Sequence, residues 1–207
     1  MEHEDHHGVL MRGFARWLVY SRPRAWFGMA VEIPGLLRGI KVPRGAICLD
    51  MATGRGWASA GLVRRDPSAR VVALDYDGTI LPHARDYLRS HGAAANAALC
   101  RSDGKRLPFR DGSFDLVLCL YGLHHFHGYL EALREIARVL KSSGTFAMID
   151  PIRNPGSRPG RHHGTEVPTR DELNRMLCDA GFEIVLSRIS IGRMKAVTRK
   201  RNSATGI

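Results

Sequence analysis

The chain has 207 residues, of which 44% are hydrophobic, so it can bury one well-packed core but is too short for two full domains. It contains 31 Lys and Arg against 20 Asp and Glu, which gives a net charge of +11. Such an excess favours an anionic partner, namely nucleic acid, an acidic membrane surface or an anionic substrate, unless it is simply a solvated basic surface.

Three further features exclude classes of protein. The longest strongly apolar run, Phe114 to Leu123, is too short to cross a bilayer. The four cysteines are widely separated, so we expect neither a disulfide framework nor a metal site. Residues 1–8 are polar and lack a signal-peptide pattern, which predicts a disordered N-terminus and a cytoplasmic protein.

The region from residue 9 to residue 46 is predicted to be a helical lid. Apolar residues recur at helical spacing between Val9 and Tyr20, and Pro23 interrupts the pattern. A second helical piece is predicted from Trp26 to Ile40, broken at Pro34-Gly35. The many aromatic side chains suit a lid over a pocket, although aromatics at this spacing are also typical of a core.

A short apolar run that ends in Asp50 leads directly into a turn of small residues, Ala52, Thr53, Gly54 and Gly56. This pattern predicts a buried parallel strand followed by a tight turn and a helix. Ligands of open α/β sheets bind at the carboxyl ends of the strands, where such a turn lets them approach the backbone. A plain structural turn is the alternative.

Two later strands also end in polar residues. Asp75 follows Val71–Leu74 about 20 residues beyond the glycine turn, a spacing that suits a carboxylate accepting from ribose hydroxyls. Tyr76 could then cover an adenine, although Asp75 could instead cap the next helix. A third strand, near residues 95–100, is followed by Ser102, Asp103 and Gly104, where an acid could accept from an adenine amine.

The second half of the chain continues the strand and helix alternation. A fourth buried strand from Phe114 to Tyr121 ends in Gly122-Leu123-His124, and a helix from Tyr129 to Lys141 leads to a fifth strand at residues 145–149. After a long loop at residues 152–168 come a helix with Thr169 as its N-cap and two strands close enough to form an antiparallel hairpin.

These stretches together resemble the class I S-adenosylmethionine-dependent methyltransferases, and most closely the small-molecule branch that includes quinone-biosynthesis enzymes. The resemblance covers residues 47–200, about three quarters of the chain. It is carried by motifs in the expected order: Leu49–Gly56, Ala73–Tyr76, Ser102–Phe109, Ser113–Val117, Leu123–Phe126 and Arg134–Lys141. The sequence departs from the common pattern at Ala52, where many relatives have glycine, and at Ser142-Ser143-Gly144.

The resemblance implies a Rossmann-like, doubly wound α/β/α fold with seven strands, mostly parallel, and an antiparallel C-terminal hairpin. It further implies a methyltransferase domain at residues 47–200, with residues 201–207 as a tail, and S-adenosylmethionine as cofactor. The resemblance implies that the methionine part of the cofactor contacts Asp50, Ala52, Thr53, Gly54 and Gly56, and that Asp75 holds the ribose. It implies that the adenine contacts Tyr76, Ser102, Asp103 and Gly104, and that Tyr121 to His124 lie beside the sulfonium.

Methyl transfer from a sulfonium chiefly requires alignment of the reacting atoms and exclusion of water. A hydroxyl or amine acceptor also needs a base, and His124 is the candidate, either as that base or as a group that orients the acceptor. A purely structural His124 is the alternative. We expect a small-molecule acceptor.

Two other classes of function compete with this interpretation. A nicotinamide dehydrogenase would need a glycine where Ser59 stands. An RNA-directed methyltransferase or a noncatalytic RNA-binding relative would suit the basic ends of the chain. However, Tyr121-Gly122-Leu123-His124 stands where a base-gripping Asn/Asp-Pro-Pro-Tyr segment would be expected, so nucleic acid is possible but not favoured.

Overall fold

The structure is a computed structural model that describes residues 21–126, 128–157, 161–162, 165–190 and 192–201. The predicted disordered N-terminus, the first predicted helix at Val9–Tyr20 and residues 202–207 of the tail lie outside these residues. Among the residues described, no helix combines the length and the apolar character needed to span a membrane.

A single seven-stranded sheet forms the centre of the molecule, with strands in the order β3-β2-β1-β4-β5-β9-β8. β1 to β5 run parallel, and β9 pairs antiparallel with both β5 and β8. The predicted fold class, including the reversed final hairpin, is confirmed. The strands are β1 Ile47–Met51, β2 Arg70–Asp75, β3 Ala97–Arg101, β4 Phe114–Leu120, β5 Leu140–Pro151, β8 Phe182–Ser190 and β9 Arg193–Lys200.

Helices cover both faces of this sheet, and a small hairpin formed by β6 Arg161–His162 and β7 Thr165–Glu166 lies in the long loop. Residues Leu123–His125 form a 3-10 turn after β4. The helices are α1 Arg22–Phe27, a π-helical turn Gly28–Glu32, α2 Ile33–Leu36, α3 Trp57–Arg65, α4 Leu81–Ser90, α5 Tyr129–Val139 and α6 Arg170–Asp179.

Two apolar cores result, because neighbouring residues of a buried strand point to opposite faces of the sheet. In β4, Leu116 and Leu118 pack with Ile33 and the other apolar residues of α2, α3 and α4. Val117 between them faces α5 and α6 on the other side. The sheet is therefore the middle of three layers.

The N-terminal helix differs from the sequence-based prediction. It begins at Arg22, with Ser21 as its N-cap and Pro23 in its first turn, and Pro34-Gly35 does not break it. The π-helical turn directly before α2 places Pro34 near the start of a new helical segment, where a proline needs no N–H. One irregular helix therefore extends from Arg22 to Leu36.

The junction between α5 and β5 also differs from the prediction. The helix ends at Val139 and the strand already begins at Leu140, which pairs with Phe114 of β4. The register then shifts before the regular pairing resumes at Thr145. Gly144 fits this irregularity because a Cβ there would lie 2.9 Å from the carbonyl oxygen of Lys141.

Two smaller results concern the third strand and the last helix. The third strand begins at Ala97, two residues later than expected. Directly before it, the side chain of Asn96 donates to the carbonyl oxygens of Pro67 and Ala69, and its backbone carbonyl accepts from the Val71 N–H. The predicted N-cap Thr169 is confirmed: its hydroxyl accepts from the Glu172 N–H, and the Glu172 carboxylate accepts from the Thr169 N–H.

Candidate active site

Asp75 ties the end of β2 to the glycine turn after β1. One oxygen of its carboxylate accepts from the Gly54 N–H at 2.8 Å, and the other accepts from the Asp77 N–H at 3.0 Å. Burial raises the pKa of Asp75, while the donation by Gly54 acts in the opposite direction. Each oxygen retains a lone pair, so this carboxylate can accept further donors from a ligand in the crevice.

Asp50 lies beneath the glycine turn, with only 1% of its surface exposed. One oxygen of its carboxylate accepts from the hydroxyls of Thr53 at 2.7 Å and Ser59 at 2.6 Å. Burial raises its pKa to about 6 from 3.8, because the low-dielectric surroundings penalise the charged form more than the hydroxyl donors favour it. Asp50 therefore supports the turn and the start of α3 from below.

The turn itself needs unusual backbone angles. Gly54 and Gly56 have φ values of 53° and 80°, and Ala52 also adopts a left-handed conformation, with φ of 54°. Such angles favour glycine, so alanine is strained at this position. On the neighbouring strand end, a Cβ built on Gly122 would lie 2.4 Å from the Cβ of Ala52, so the two strand ends approach too closely for a second side chain.

The predicted adenine-side residues gather at the end of β3. The Ser102 N–H donates to the backbone carbonyl of Asp75, and the Asp103 carboxylate accepts from the Lys105 N–H at 2.9 Å. A Cβ on Gly104 would lie 2.4 Å from the Phe126 ring, so glycine lets that ring close over the loop. Tyr76 at the end of β2 is 48% exposed, and a ligand ring has access to it.

Tyr121 is the centre of a charged cluster that the sequence did not predict. Its hydroxyl donates to Glu32 of the N-terminal helix and accepts from Nη1 of Arg193 at 2.7 Å. Arg24 pairs with Glu32 at 2.8 Å and lies over the Tyr121 ring at 4.7 Å. Burial and the Glu32 carboxylate raise the pKa of Tyr121 to about 12, so the phenol stays protonated. We call Arg24, Glu32, Tyr121 and Arg193 the Tyr121 cluster.

His124 is buried directly after this strand end, in the 3-10 turn. Its Nδ1 lies 3.0 Å from Oδ1 of Asp150, a fully buried carboxylate at the end of β5. The ring of His125 packs on that of His124 with centroids 4.0 Å apart, and His127 lies outside the described residues. Asp150 is a further site residue that the sequence analysis did not predict, although it lies at the end of a buried strand as Asp50 and Asp75 do.

The predicted site residues thus come together at one edge of the sheet, the carboxyl ends of β1 to β4, with Asp150 at the end of β5 beside them. The Asp50 carboxylate accepts from the turn and from α3, and the Asp103 carboxylate accepts within its own loop. The Tyr121 hydroxyl donates to Glu32 of the N-terminal helix. Among the described residues, no group of three or more His, Cys, Asp or Glu side chains could hold a metal ion.

Comparison with known proteins identifies the family. Residues 49–148 match the family described as a methyltransferase domain. The chain is 28% identical to the ubiquinone/menaquinone biosynthesis C-methyltransferase UbiE of Pasteurella multocida, over 81% of this chain and 71% of the relative. It is 33% identical to the protein of the same name from Idiomarina loihiensis, over 61% of this chain and 49% of that protein. The chain therefore contains a class I methyltransferase domain, and the family match covers residues 49–148 of it.

These relatives indicate the branch of methyltransferases that contains the quinone-biosynthesis enzymes, although the chain spans only about half the length of the Idiomarina protein. A solved structure, the SAM-dependent methyltransferase from Aquifex aeolicus, has the same fold: the TM-score is 0.72 at 19% identity, over 91% of this chain and 98% of that one. The family implies S-adenosylmethionine, and the acceptor-only Asp75 carboxylate beside Gly54 fits its ribose hydroxyls.

Proposed function

We propose that this methyltransferase transfers the methyl group of S-adenosylmethionine to a carbon, oxygen or nitrogen nucleophile of a small molecule. The Asp75–Gly54 hydrogen bond carries the proposal, because it joins the two elements that would hold the ribose and the methionine part of one ligand. The names of the curated relatives, which are C-methyltransferases of quinone biosynthesis, support a small and electron-rich acceptor.

The cofactor, when bound, supplies an already activated methyl group on a sulfonium. The chain's residues then have to bind it, orient it and exclude water. We assign the ribose to Asp75 and an adenine-stacking role to Tyr76. We assign the remaining residues around the crevice as follows: Ala52, Thr53, Gly54 and Gly56 at the methionine end, with Asp50 supporting them from below, Ser102, Asp103 and Gly104 at the adenine end, and Tyr121 near the sulfonium.

His124 and Asp150 form the candidate proton-accepting pair. With its Nδ1 proton donated to the Asp150 carboxylate, the neutral imidazole of His124 has Nε2 as its basic nitrogen. Such a nitrogen can remove a proton from an acceptor hydroxyl, or orient that hydroxyl, at neutral pH. Asp150 acts through His124 and is therefore a positioning residue.

The described part of the N-terminal region, residues 21–46, fits the role of a cap on a catalytic domain that comprises residues 47–200. Glu32 of this region contacts Tyr121 at the end of β4, so the cap is joined to the strand end next to the site. We place the enzyme in the cytoplasm. An RNA-directed activity is not favoured, because the curated relatives are quinone-biosynthesis enzymes.

The cofactor site is tested by calorimetric titration with S-adenosylmethionine and S-adenosylhomocysteine. In Asp75→Asn, one of two charge-assisted hydrogen bonds to the ligand is lost, worth about 1.5–3 kcal/mol, so affinity should fall roughly 10- to 100-fold. Asp66→Asn is the matched control, because Asp66 accepts from the Gly45 and Ser68 N–H groups in the same manner at the opposite edge of the sheet. No binding by the unaltered protein would refute the proposal.

The proton-accepting pair is tested by methyl transfer to hydroquinones, phenols and amines. His124→Gln should keep cofactor affinity and lower kcat by about 10²- to 10⁴-fold. Asp150→Asn should lower kcat less and shift its pH profile, whereas His125→Gln serves as the control on the adjacent ring. Full activity of His124→Gln would eliminate the base role.

A further inference from the structure

The irregular N-terminal helix exposes a face without a single charged residue. We call this face the apolar stripe: Pro23, Trp26, Phe27, Ala30, Val31, Pro34 and Gly35, all of which are exposed. Trp26, Phe27 and Val31 are 61%, 44% and 46% exposed, and they make up three of the seven large hydrophobic side chains exposed within the described residues. A contiguous apolar surface of this kind marks an interaction site in a water-soluble domain.

The opposite face of the same helix packs against the core. Ala25, Ile33 and Leu36 are buried, and Gly28 lies against the Trp57 ring so closely that a Cβ would be 2.3 Å from it. The apolar side chains of the stripe therefore do not pack in the core of this domain. A helix that is apolar on both faces is expected to be covered on both.

The charges around the stripe indicate what covers it. Arg38, Lys41 and Arg44 follow the helix directly and are exposed. Glu32 is the only acid between residues 21 and 44; it is 2% exposed and paired with Arg24 and Arg193. The exposed surface of this segment thus combines aromatic and apolar side chains with positive charge only, in a chain of net charge +11.

We propose that the apolar stripe docks on the surface of an anionic lipid bilayer, with Trp26 and Phe27 at the boundary between headgroups and acyl chains. Aromatic residues suit that boundary, and neighbouring Lys and Arg are attracted to anionic headgroups. The helix from Arg22 to Leu36 lies in the plane of the interface and does not span the bilayer.

The helix that carries the stripe contacts the active site through its opposite, buried face. Gly28 packs against Trp57, the first residue of α3 after the glycine turn, and Glu32 contacts Tyr121. A bilayer bound to the stripe is therefore separated from these residues by the thickness of one helix. On the basis of the proposed function, the acceptor then belongs to the apolar molecules that partition into membranes. The docking itself requires neither cofactor nor acceptor.

The test is flotation of the full chain with vesicles of phosphatidylcholine alone and of an equimolar mixture with phosphatidylglycerol. Binding is expected to the mixed vesicles, weakened by salt and accompanied by a blue shift of tryptophan emission. Trp26→Ser combined with Val31→Ser should weaken binding at least tenfold, and Arg38→Gln combined with Lys41→Gln should abolish the preference for anionic vesicles. Val185→Ser with Ile189→Ser, which removes exposed apolar side chains from the edge strand β8, should bind as the unaltered chain does.

Equal binding by the stripe variant and the β8 variant would overturn the proposal. So would a dimer, seen by light scattering without vesicle binding and abolished by the stripe substitutions, because a second copy would then cover the stripe. Calorimetric titration with S-adenosylmethionine accompanies each variant. A variant that loses vesicle binding but keeps its affinity for the cofactor has lost docking alone. If the unaltered protein does not bind the cofactor, the proposed function is refuted and the docking proposal is not.

Discussion

The Tyr121 cluster allows a quantitative prediction about the attachment of the N-terminal cap. Glu32→Gln keeps the size of the side chain and removes its charge, which leaves Arg24 and Arg193 without their counter-ion. Breaking a buried ion pair costs about 3–5 kcal/mol. The side chain of Arg193 is 43% exposed, so solvent screens its interaction with Glu32. We therefore expect the free energy of unfolding to fall by an amount near the lower limit, about 3 kcal/mol.

The assay is thermal and urea-induced unfolding of four proteins in a double-mutant cycle. Glu32→Gln should lower Tm by roughly 6–12 °C for a chain of this size. Tyr121→Phe removes the hydroxyl that donates to Glu32 and should cost about 1 kcal/mol. The double variant should lose about 1 kcal/mol less than the sum, because the two residues share one network.

A matched substitution separates this effect from a general loss of charge. Glu183→Gln removes an exposed carboxylate from β8 and should change stability by less than about 0.5 kcal/mol. If Glu32→Gln were as mild as Glu183→Gln, or if Glu32→Gln and Tyr121→Phe were additive within about 0.5 kcal/mol, the cluster would not hold the cap on the sheet.

Two further predictions concern the floor of the site. Because burial raises the pKa of Asp50 to about 6 from 3.8, its stabilising contribution is complete below pH 3.8 and is lost as the pH rises through 6; the difference is about 3 kcal/mol. Urea unfolding at both ends of that window should show that the stability of the unaltered protein relative to Asp50→Asn falls by about this amount, since the other carboxyl groups titrate equally in both proteins; a constant difference would contradict it. Gly104→Ala places a Cβ 2.4 Å from the Phe126 ring and should cost about 1–3 kcal/mol in a melting experiment, whereas an added Phe126→Leu should restore part of the loss. An unchanged Tm would show that the ring moves freely.

The strands of the large sheet could be predicted from the sequence because each buried strand is a short apolar run bounded by turn residues. The final hairpin followed from the short distance between its two strands. The N-terminal helix was predicted less well, since a π-helical turn accommodates Pro34 and leaves no sign in the pattern of apolar residues. The start of β5 at Leu140 depends on a register shift against Phe114, which is a property of the strand pair and not of either strand alone.

In the candidate site, too, some features could be predicted from the local sequence and others depend on distant parts of the chain. Asp75 and the glycine turn could be placed from local pattern, because each lies at the end of its own strand. The partners of Tyr121 and His124 could not. Glu32 and Arg193 are separated by most of the chain, and Asp150 lies 26 residues beyond His124, so only the folded topology brings these groups together. Polar contacts between distant residues leave no periodic pattern in the sequence from which they could be predicted.

The close approach of Ala52 and Gly122 has a consequence for how this site can vary. The two residues stand at neighbouring strand ends, and the methyl group of Ala52 occupies the volume that a side chain on Gly122 would need. They form one steric unit with room for a single methyl group. Gly122→Ala is therefore expected to be tolerated only together with Ala52→Gly, so substitutions at these two positions should occur in pairs.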